Sequence, residues 1–350
     1  MRIFVIALIA LTFTGCGTLN TWRAKDEKYN KHTPHDSQRP GAQQTAALYS
    51  DQFAQDIASR FGFMALLSEL VYLRHLSDER DIATECSAHT SSSSEKYRYP
   101  PLPSDNLGKW QRWRPGLDSI RPCLSVNGLF YDTFVYTNNQ GLISQAVIAY
   151  RGTENRRGEY LADWSANTSA FFGIEPTQYK LARAHLPNII HQLKLANNDI
   201  VIYATGHSLG GGLAQQAGYL SRDIQEVITF NTSPVTNWTS LRLNRLVDNE
   251  YPTIYRLYHG GEVLEKLRFI TSNATSARYG RHDIGVQFEP RSNFDGHSMQ
   301  VFSCAFAKLI TQGDQQISMA AHHYSAPYIE QYLINKGQMC ANFEASKIFR

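Results

Sequence analysis

An excess of one charge is missing from this chain: 34 Lys and Arg stand against 31 Asp and Glu, a formal net charge of +3 over 350 residues. So small a surplus gives no basic footprint, and a nucleic-acid partner is excluded. Cysteine is scarce, with five residues, and no Cys-x-x-Cys pair or His/Cys cluster of metal-ligand spacing occurs. Zinc modules and dithiol redox motifs are therefore not expected. Internal repeats are absent, which removes solenoids and propellers. The apolar run near the N-terminus, residues 3–11, is shorter than the roughly 20 residues of a spanning helix. What is present is the composition of a globular domain, 42% hydrophobic and 12% aromatic. Its length allows one large domain with a buried core, plus appendages.

Arg2, the short apolar core and the small residues before Cys16 form the pattern of a signal peptide. Phe13-Thr14-Gly15-Cys16 resembles the lipobox of bacterial lipoproteins, with Phe13 where leucine is commoner. The resemblance implies cleavage before Cys16, diacylglycerol on its sulfur and the membrane as a partner. Gly17, where an aspartate would signal inner-membrane retention, implies the outer membrane of a bacterial cell envelope. An ordinary secretory signal with an incidental cysteine is the alternative. The expected organisation is a signal peptide over 1–15, a polar tether over 16–48, and an α/β domain over 49–350. A Ser/Pro-rich insertion near 81–105 interrupts that domain. Cys86, Cys123, Cys304 and Cys340 suit two disulfides in an oxidising compartment, with three pairings open.

An amphipathic helix is expected from about Ser50, with Phe53, Ile57, Phe61, Met64, Leu67, Val71 and His75 along one face. Trp110-Gln111-Arg112-Trp113-Arg114 reads as a surface loop with two half-buried tryptophans, or as a contact for lipid headgroups. Strands are expected at 129–136 and 142–150 around a turn at 138–141. A helix over 177–196 turns Tyr179, Ala182, Leu186, Ile189, Ile190 and Leu193 inward, with Pro187 as a possible kink. Further strands fall at 200–204, 226–230 and 253–258, and further helices near 298–311 and 326–336. Strands alternating with helices predict a mostly parallel sheet covered on both faces.

The stretch Gly206-His207-Ser208-Leu209-Gly210 organises the rest. A β-rich run precedes it, and Leu209, Leu213 and Ala217 follow at helical spacing, the strand–turn–helix context that a nucleophile elbow requires. The two glycines let strand and helix approach. The Leu209 amide, at a helix N-terminus, can stabilise an oxyanion. A serine hydroxyl needs a base, and the base needs an acid to orient it. Glu262 lies after a strand and a glycine pair, with Glu265, Asp248 and Asp283 as rivals. His297, in a loop before an apolar helix, is the favoured base, ahead of His282, His322, His323 and His259. The strand ending at Gly152 puts the Thr153 amide forward as a second oxyanion donor.

Ala149-Tyr150-Arg151-Gly152-Thr153, Asp163-Trp164 and Gly206-His207-Ser208-Leu209-Gly210 together resemble the class 3 lipases, the fungal-lipase-like branch of the α/β hydrolases. The resemblance covers roughly residues 50 to 310. It implies an α/β-hydrolase fold, a lipid or ester substrate, and no metal or organic cofactor. It also implies that His297 matches the family's base, whereas His282 matches a non-catalytic histidine. Glu262 stands where the family usually has aspartate, and Thr229-Phe230-Asn231-Thr232-Ser233-Pro234 lacks the glycine and arginine usual at that strand end. The polar stretch 154–162 occupies the family's lid region, and Phe171-Phe172-Gly173-Ile174 just beyond it is apolar enough for a lid or for the core. The expected function is ester hydrolysis by a lipid-anchored envelope enzyme, a lipase or phospholipase A1. The rival is a non-catalytic envelope lipoprotein that uses the same fold for binding or scaffolding, against which the intact elbow argues.

Overall fold

The computed structural model describes residues 51–72, 110–113, 123–126, 129–152, 176–235, 253–260, 262, 264, 281–286 and 296–312. The expected signal peptide, tether, 81–105 insertion, lid region and helix near 326–336 lie outside the described residues, as do Cys16, Thr153, Asp163 and Trp164.

The sheet is built outward from one hairpin. Strand β3 (Leu129–Thr137) and strand β4 (Ile143–Tyr150) pair antiparallel. Between them Asn138 closes the turn, its side-chain oxygen accepting the amides of Gln140 and Leu142, and Gly141 supplies the φ of 80° that the chain needs there. Two short strands, β1 (Trp110–Arg112) and β2 (Cys123–Val126), pair antiparallel with β3. Beyond β4 the sheet is parallel: β5 (Val201–His207), β6 (Ile224–Phe230), β7 (Thr253–His259) and β8 (Arg281–Val286) follow in spatial order. With both faces buried, β5, β6 and β7 are largely apolar, as parallel strands are, whereas in β8 only Ile284 and Val286 are buried among the described residues. This is an α/β-hydrolase fold: among the described residues, an eight-stranded, mostly parallel sheet flanked by helices.

Alternate residues of strands β3 to β7 feed two cores. On one face Phe130, Phe134, Val147, Tyr203, Phe230 and Leu257 pack under helix α1 (Asp51–Leu70) and helix α4 (Met299–Gln312). On the other, Tyr131, Ile148, Ile202, Ala204 and Val227 pack under helix α2 (Thr177–Ala196) and helix α3 (Leu209–Leu220). The expected inward residues of α2 are all buried, and Pro187 sits on its exposed side without ending it.

Two expectations need correction. The α1 helix is not amphipathic along its described face: from Ile57 to Val71 only Arg60 is not buried, so Phe63, Leu66 and Leu70 are enclosed as fully as Phe61 and Met64. It lies between the sheet and α4, a place that encloses its polar residues Ser59, Ser68 and Glu69 along with the apolar ones. The Trp110–Trp113 segment is likewise no surface loop. Trp110 and Trp113 are buried in the two cores, Trp110 against Phe63 and Tyr136. The Arg112 guanidinium makes a buried ion pair with Asp132 on the neighbouring strand and so is not directed at lipid. Short strands of this kind have no periodicity of their own to read; pairing with β3 defines them.

Candidate active site

The parallel strands β5, β6 and β7 end at one edge of the sheet, and the site gathers there. At the end of β5, Ser208 turns the chain from strand into α3 with φ 57° and ψ −126°. Such a backbone is costly for a residue with a side chain and persists only where surroundings hold it. The Ser208 amide donates to the Phe230 carbonyl at 3.1 Å, and the Ser208 carbonyl accepts from Gly211 at 3.0 Å and Ser233 at 2.9 Å. A Cβ on Gly206 would collide with the Gly210 backbone, and one on Gly210 with the Tyr150 carbonyl. Both glycines are there for that close approach.

The Ser208 Oγ lies 3.0 Å from His297 Nε2, and His297 Nδ1 lies 2.6 Å from the Glu262 carboxylate. Both His297 and Glu262 are buried, at 3% exposure. The same Glu262 oxygen accepts the Leu264 amide at 2.9 Å, so the carboxylate is fixed from two directions. The three side chains therefore form one hydrogen-bonded line from carboxylate through imidazole to hydroxyl. Chemically, that line can move a proton off the serine and stabilise the imidazolium that results. The Leu209 amide, the first of α3, has no acceptor within the helix.

The rivals are placed elsewhere. Asp283 on β8 is bidentate to Arg256 on β7, at 2.5 and 2.7 Å. Burial opposes the Arg256 charge, but the charge and hydrogen bonds of Asp283, with Tyr219 and Tyr258 nearby, together outweigh it and raise the guanidinium pKa above its ordinary value. The His282 ring stacks on Tyr255 at 5.0 Å, and His259 Nδ1 pairs with the Gly260 carbonyl at 2.8 Å. Asp248, Glu265, His322 and His323 lie outside the described residues, as does Thr153. Gly152, just before Thr153, is packed against the elbow: a Cβ there would stand 3.0 Å from Ser208 Cβ.

Three further residues at this edge carried no role in the sequence reading. Asn231, in the left-handed region with φ 41°, donates to the Gly296 carbonyl at 2.9 Å and accepts the His259 amide at 2.8 Å. The His207 ring donates from Nε2 to the His297 carbonyl at 2.6 Å, and its Nδ1 is 2.9 Å from the Tyr72 hydroxyl. The Tyr72 oxygen also accepts the Gly152 amide at 2.9 Å. The signal for His207 was its place inside the elbow motif; Tyr72 and Asn231 had none.

With that geometry in view, the chain can be set beside known proteins. The model of a phospholipase-like family, the Tle-like phospholipase domain, matches residues 64–271, more than half of the sequence. The chain belongs to the Tle-like phospholipase domain family. This Tle-like chain is 34% identical to extracellular phospholipase A1 of Serratia liquefaciens over 119 residues, 34% of its own length and 31% of that protein. It is 24% identical to lipase ZK262.3 of Caenorhabditis elegans over 190 residues, 49% of its own length and 52% of that protein. The Tle-like chain thus matches between about a third and a half of these curated relatives. Among solved structures, Serratia marcescens lipase LipA aligns with TM-score 0.35 at 14% identity, covering 62% of this chain and 42% of that one. Lipase II of Rhizopus niveus aligns with TM-score 0.35 at 13% identity, covering 69% and 81%. Likenesses of that size carry no functional weight.

Proposed function

We propose that this protein is a serine hydrolase that cleaves carboxylic esters of lipids, with Ser208 as nucleophile, His297 as general base and acid, and Glu262 as the residue that orients His297. The observation that carries the reading is the unbroken line from Glu262 through His297 to Ser208, held at 2.6 and 3.0 Å at the turn between β5 and α3. Membership of the Tle-like phospholipase domain family supports a lipid substrate, and the likeness to a phospholipase A1 favours a phospholipid acyl ester. The class 3 lipase motifs support the same chemistry.

In the first half-reaction, Ser208 Oγ attacks the acyl carbonyl while His297 Nε2 takes its proton. The charge that develops on the carbonyl oxygen falls to the Leu209 amide and, in our reading, the Thr153 amide. The tetrahedral intermediate collapses as His297 returns the proton to the departing alcohol, which leaves as a lysolipid or a glyceride. In the second half, water attacks the acyl-serine, with His297 again as base, and the fatty acid departs. Glu262 remains ionised throughout and stabilises the imidazolium.

We further propose that the enzyme works at the bacterial envelope. Extracellular placement of the Serratia relative and a disulfide at Cys304 both support a compartment outside the cytoplasm. The Phe13–Cys16 lipobox supports anchoring through Cys16, at the outer membrane, with the polar segment 16–48 as tether.

A fluorophosphonate ester tests the central claim, since only an activated serine reacts readily with it. Stoichiometric labelling of Ser208, lost in Ser208→Ala and in His297→Ala, is expected. A panel of phospholipids, triglycerides and short-chain aryl esters then assigns the substrate, with release of the sn-1 acyl chain expected to dominate. A folded wild-type protein that neither labels nor turns over any of these esters overturns the reading and leaves the fold as a binding scaffold.

A further inference from the structure

The base of this site is held by its main chain as well as by its ring. Two consecutive carbonyls of the loop that carries it, those of Gly296 and His297, each accept a side-chain N–H from the end of a neighbouring strand. Asn231, just past β6, takes the first at 2.9 Å, and His207, the last residue of β5, takes the second at 2.6 Å. A loop pinned at one point can still pivot; one pinned at two adjacent carbonyls has its orientation set.

We propose that His207 is a positioning residue for the base, presented in one tautomer by Tyr72, and that this pair links the nucleophile, the base loop and the end of β4. The proposal rests on the Ser208–His297–Glu262 reading above.

The chemistry of the atoms fixes the direction of each bond. A carbonyl can only accept, so His207 Nε2 carries the proton in its contact with the His297 oxygen. In the neutral ring Nδ1 is then an acceptor, and the Tyr72 hydroxyl, 2.9 Å away, donates to it. The Tyr72 oxygen in turn accepts the Gly152 amide at 2.9 Å. The result is a directed chain: Gly152 N–H to Tyr72 O–H, to His207 Nδ1, and from His207 Nε2–H to the His297 carbonyl. Its members come from the end of β4, the segment after α1, the end of β5 and the base loop. The ring is buried at 6% exposure and lies 4.9 Å from the His297 ring, centroid to centroid. The partner that His207 holds is the main chain of His297. His207 acts through the position of His297.

Mispositioning of a catalytic group by about 1 Å can cost about 10²-fold in rate. The test compares three variants whose side chains keep different parts of the imidazole. Gln at position 207 reaches as far as Nε2 and can donate to the His297 carbonyl. Asn reaches only as far as Nδ1 and can bond Tyr72 alone, and Leu does neither. With a soluble aryl ester, His207→Leu and His207→Asn are expected to lower kcat by about 10²-fold while KM stays within about twofold. His207→Gln is expected to recover to within about tenfold of wild type. Tyr72→Phe removes the donor to Nδ1 and should lower kcat by about tenfold, again with little effect on KM. Thermal melting reports the folded fraction, by which kcat is corrected. Equal rates for the Gln and Asn variants, or a kcat for His207→Leu close to wild type, overturn the proposal. If His207→Leu does not fold, the comparison of Gln with Asn still decides it. Ser208→Ala and His297→Ala, measured alongside, keep the two claims apart. Residual activity in those two sinks the serine-hydrolase reading itself, whereas their loss beside an indifferent His207 sinks only the positioning role.

Discussion

At Glu262, the acid of the proposed triad, the length of the side chain is itself a variable, because the class 3 lipases that the sequence resembles usually have aspartate in the matching segment. The Glu262 oxygen that meets His297 Nδ1 at 2.6 Å also accepts the Leu264 amide at 2.9 Å, which gives the longer side chain a fixed seat. Glu262→Gln preserves the shape but removes the charge that stabilises the imidazolium. A fall in kcat of about 10³-fold or more is expected, with KM for a soluble ester little changed. Glu262→Asp withdraws the carboxylate by about 1.5 Å, one C–C bond. Its turnover should fall between those of wild type and Glu262→Gln, as the loop shifts to follow. A Glu262→Gln enzyme close to wild type would move the acid elsewhere. Ser208→Ala should abolish turnover at an unchanged melting temperature; activity surviving within about tenfold of wild type would refute the nucleophile. Candidates of this kind were legible in the sequence because chemistry restricts which residues can serve and chain order restricts where. Choosing His297 over His282 needed more than spacing: the two differ in that one faces the elbow and the other stacks on Tyr255 at 5.0 Å.

Among the elements, long periodic ones declared themselves and short or enclosed ones did not. The α2 helix, the β3–β4 hairpin and the strands flanking the elbow fall within a few residues of their expected places, because apolar spacing reports a face directly. Strands β1, β2 and β8 are six residues or fewer, and partners define them. The enclosure of α1 is not legible in its sequence, because Arg60 and Glu69 lend it a polar look, although Arg60 lies over the Tyr255 ring at 4.5 Å and Glu69 is buried. Two predictions belong at this scale. Phe302 on α4 is fully buried, edge-on to Phe230 at 5.3 Å. Phe302→Ala should destabilise the fold by about 3–5 kcal/mol in urea unfolding. Asp283 joins β8 to β7 through Arg256, and its loss strands a buried guanidinium. Asp283→Asn should cost about 3 kcal/mol of stability, while turnover per folded molecule stays near wild type. A selective loss of turnover there would restore Asp283 as a rival acid.

For the molecule as a whole, the proposed anchor and tether make one prediction. A polar segment of about 30 residues has a root-mean-square span of roughly 30 Å, so an anchored domain samples the bilayer beside it at high effective concentration. Wild-type protein should fractionate with membranes, with lipid on the N-terminal cysteine by mass analysis. Cys16→Ser should lose that association, hydrolyse a soluble aryl ester at the wild-type rate, and act far more slowly on lipid of the same membrane. An unmodified Cys16 in soluble, processed wild-type protein is the outcome that defeats the anchor.

The packing of α1 against α4 also sets a timetable. The first helix of the described domain begins at Asp51, and the helix that covers it ends at Gln312. A ribosome adding about 5–20 residues per second places the second roughly 10–50 s after the first. Through that interval the apolar surface of α1 has no native cover on the α4 side, and one of the two cores cannot close. A nascent chain in that condition keeps apolar surface exposed, and so offers holding factors a hydrophobic grip. Late closure of the core is therefore an asset under the envelope placement proposed above, which has the chain cross a membrane before it folds.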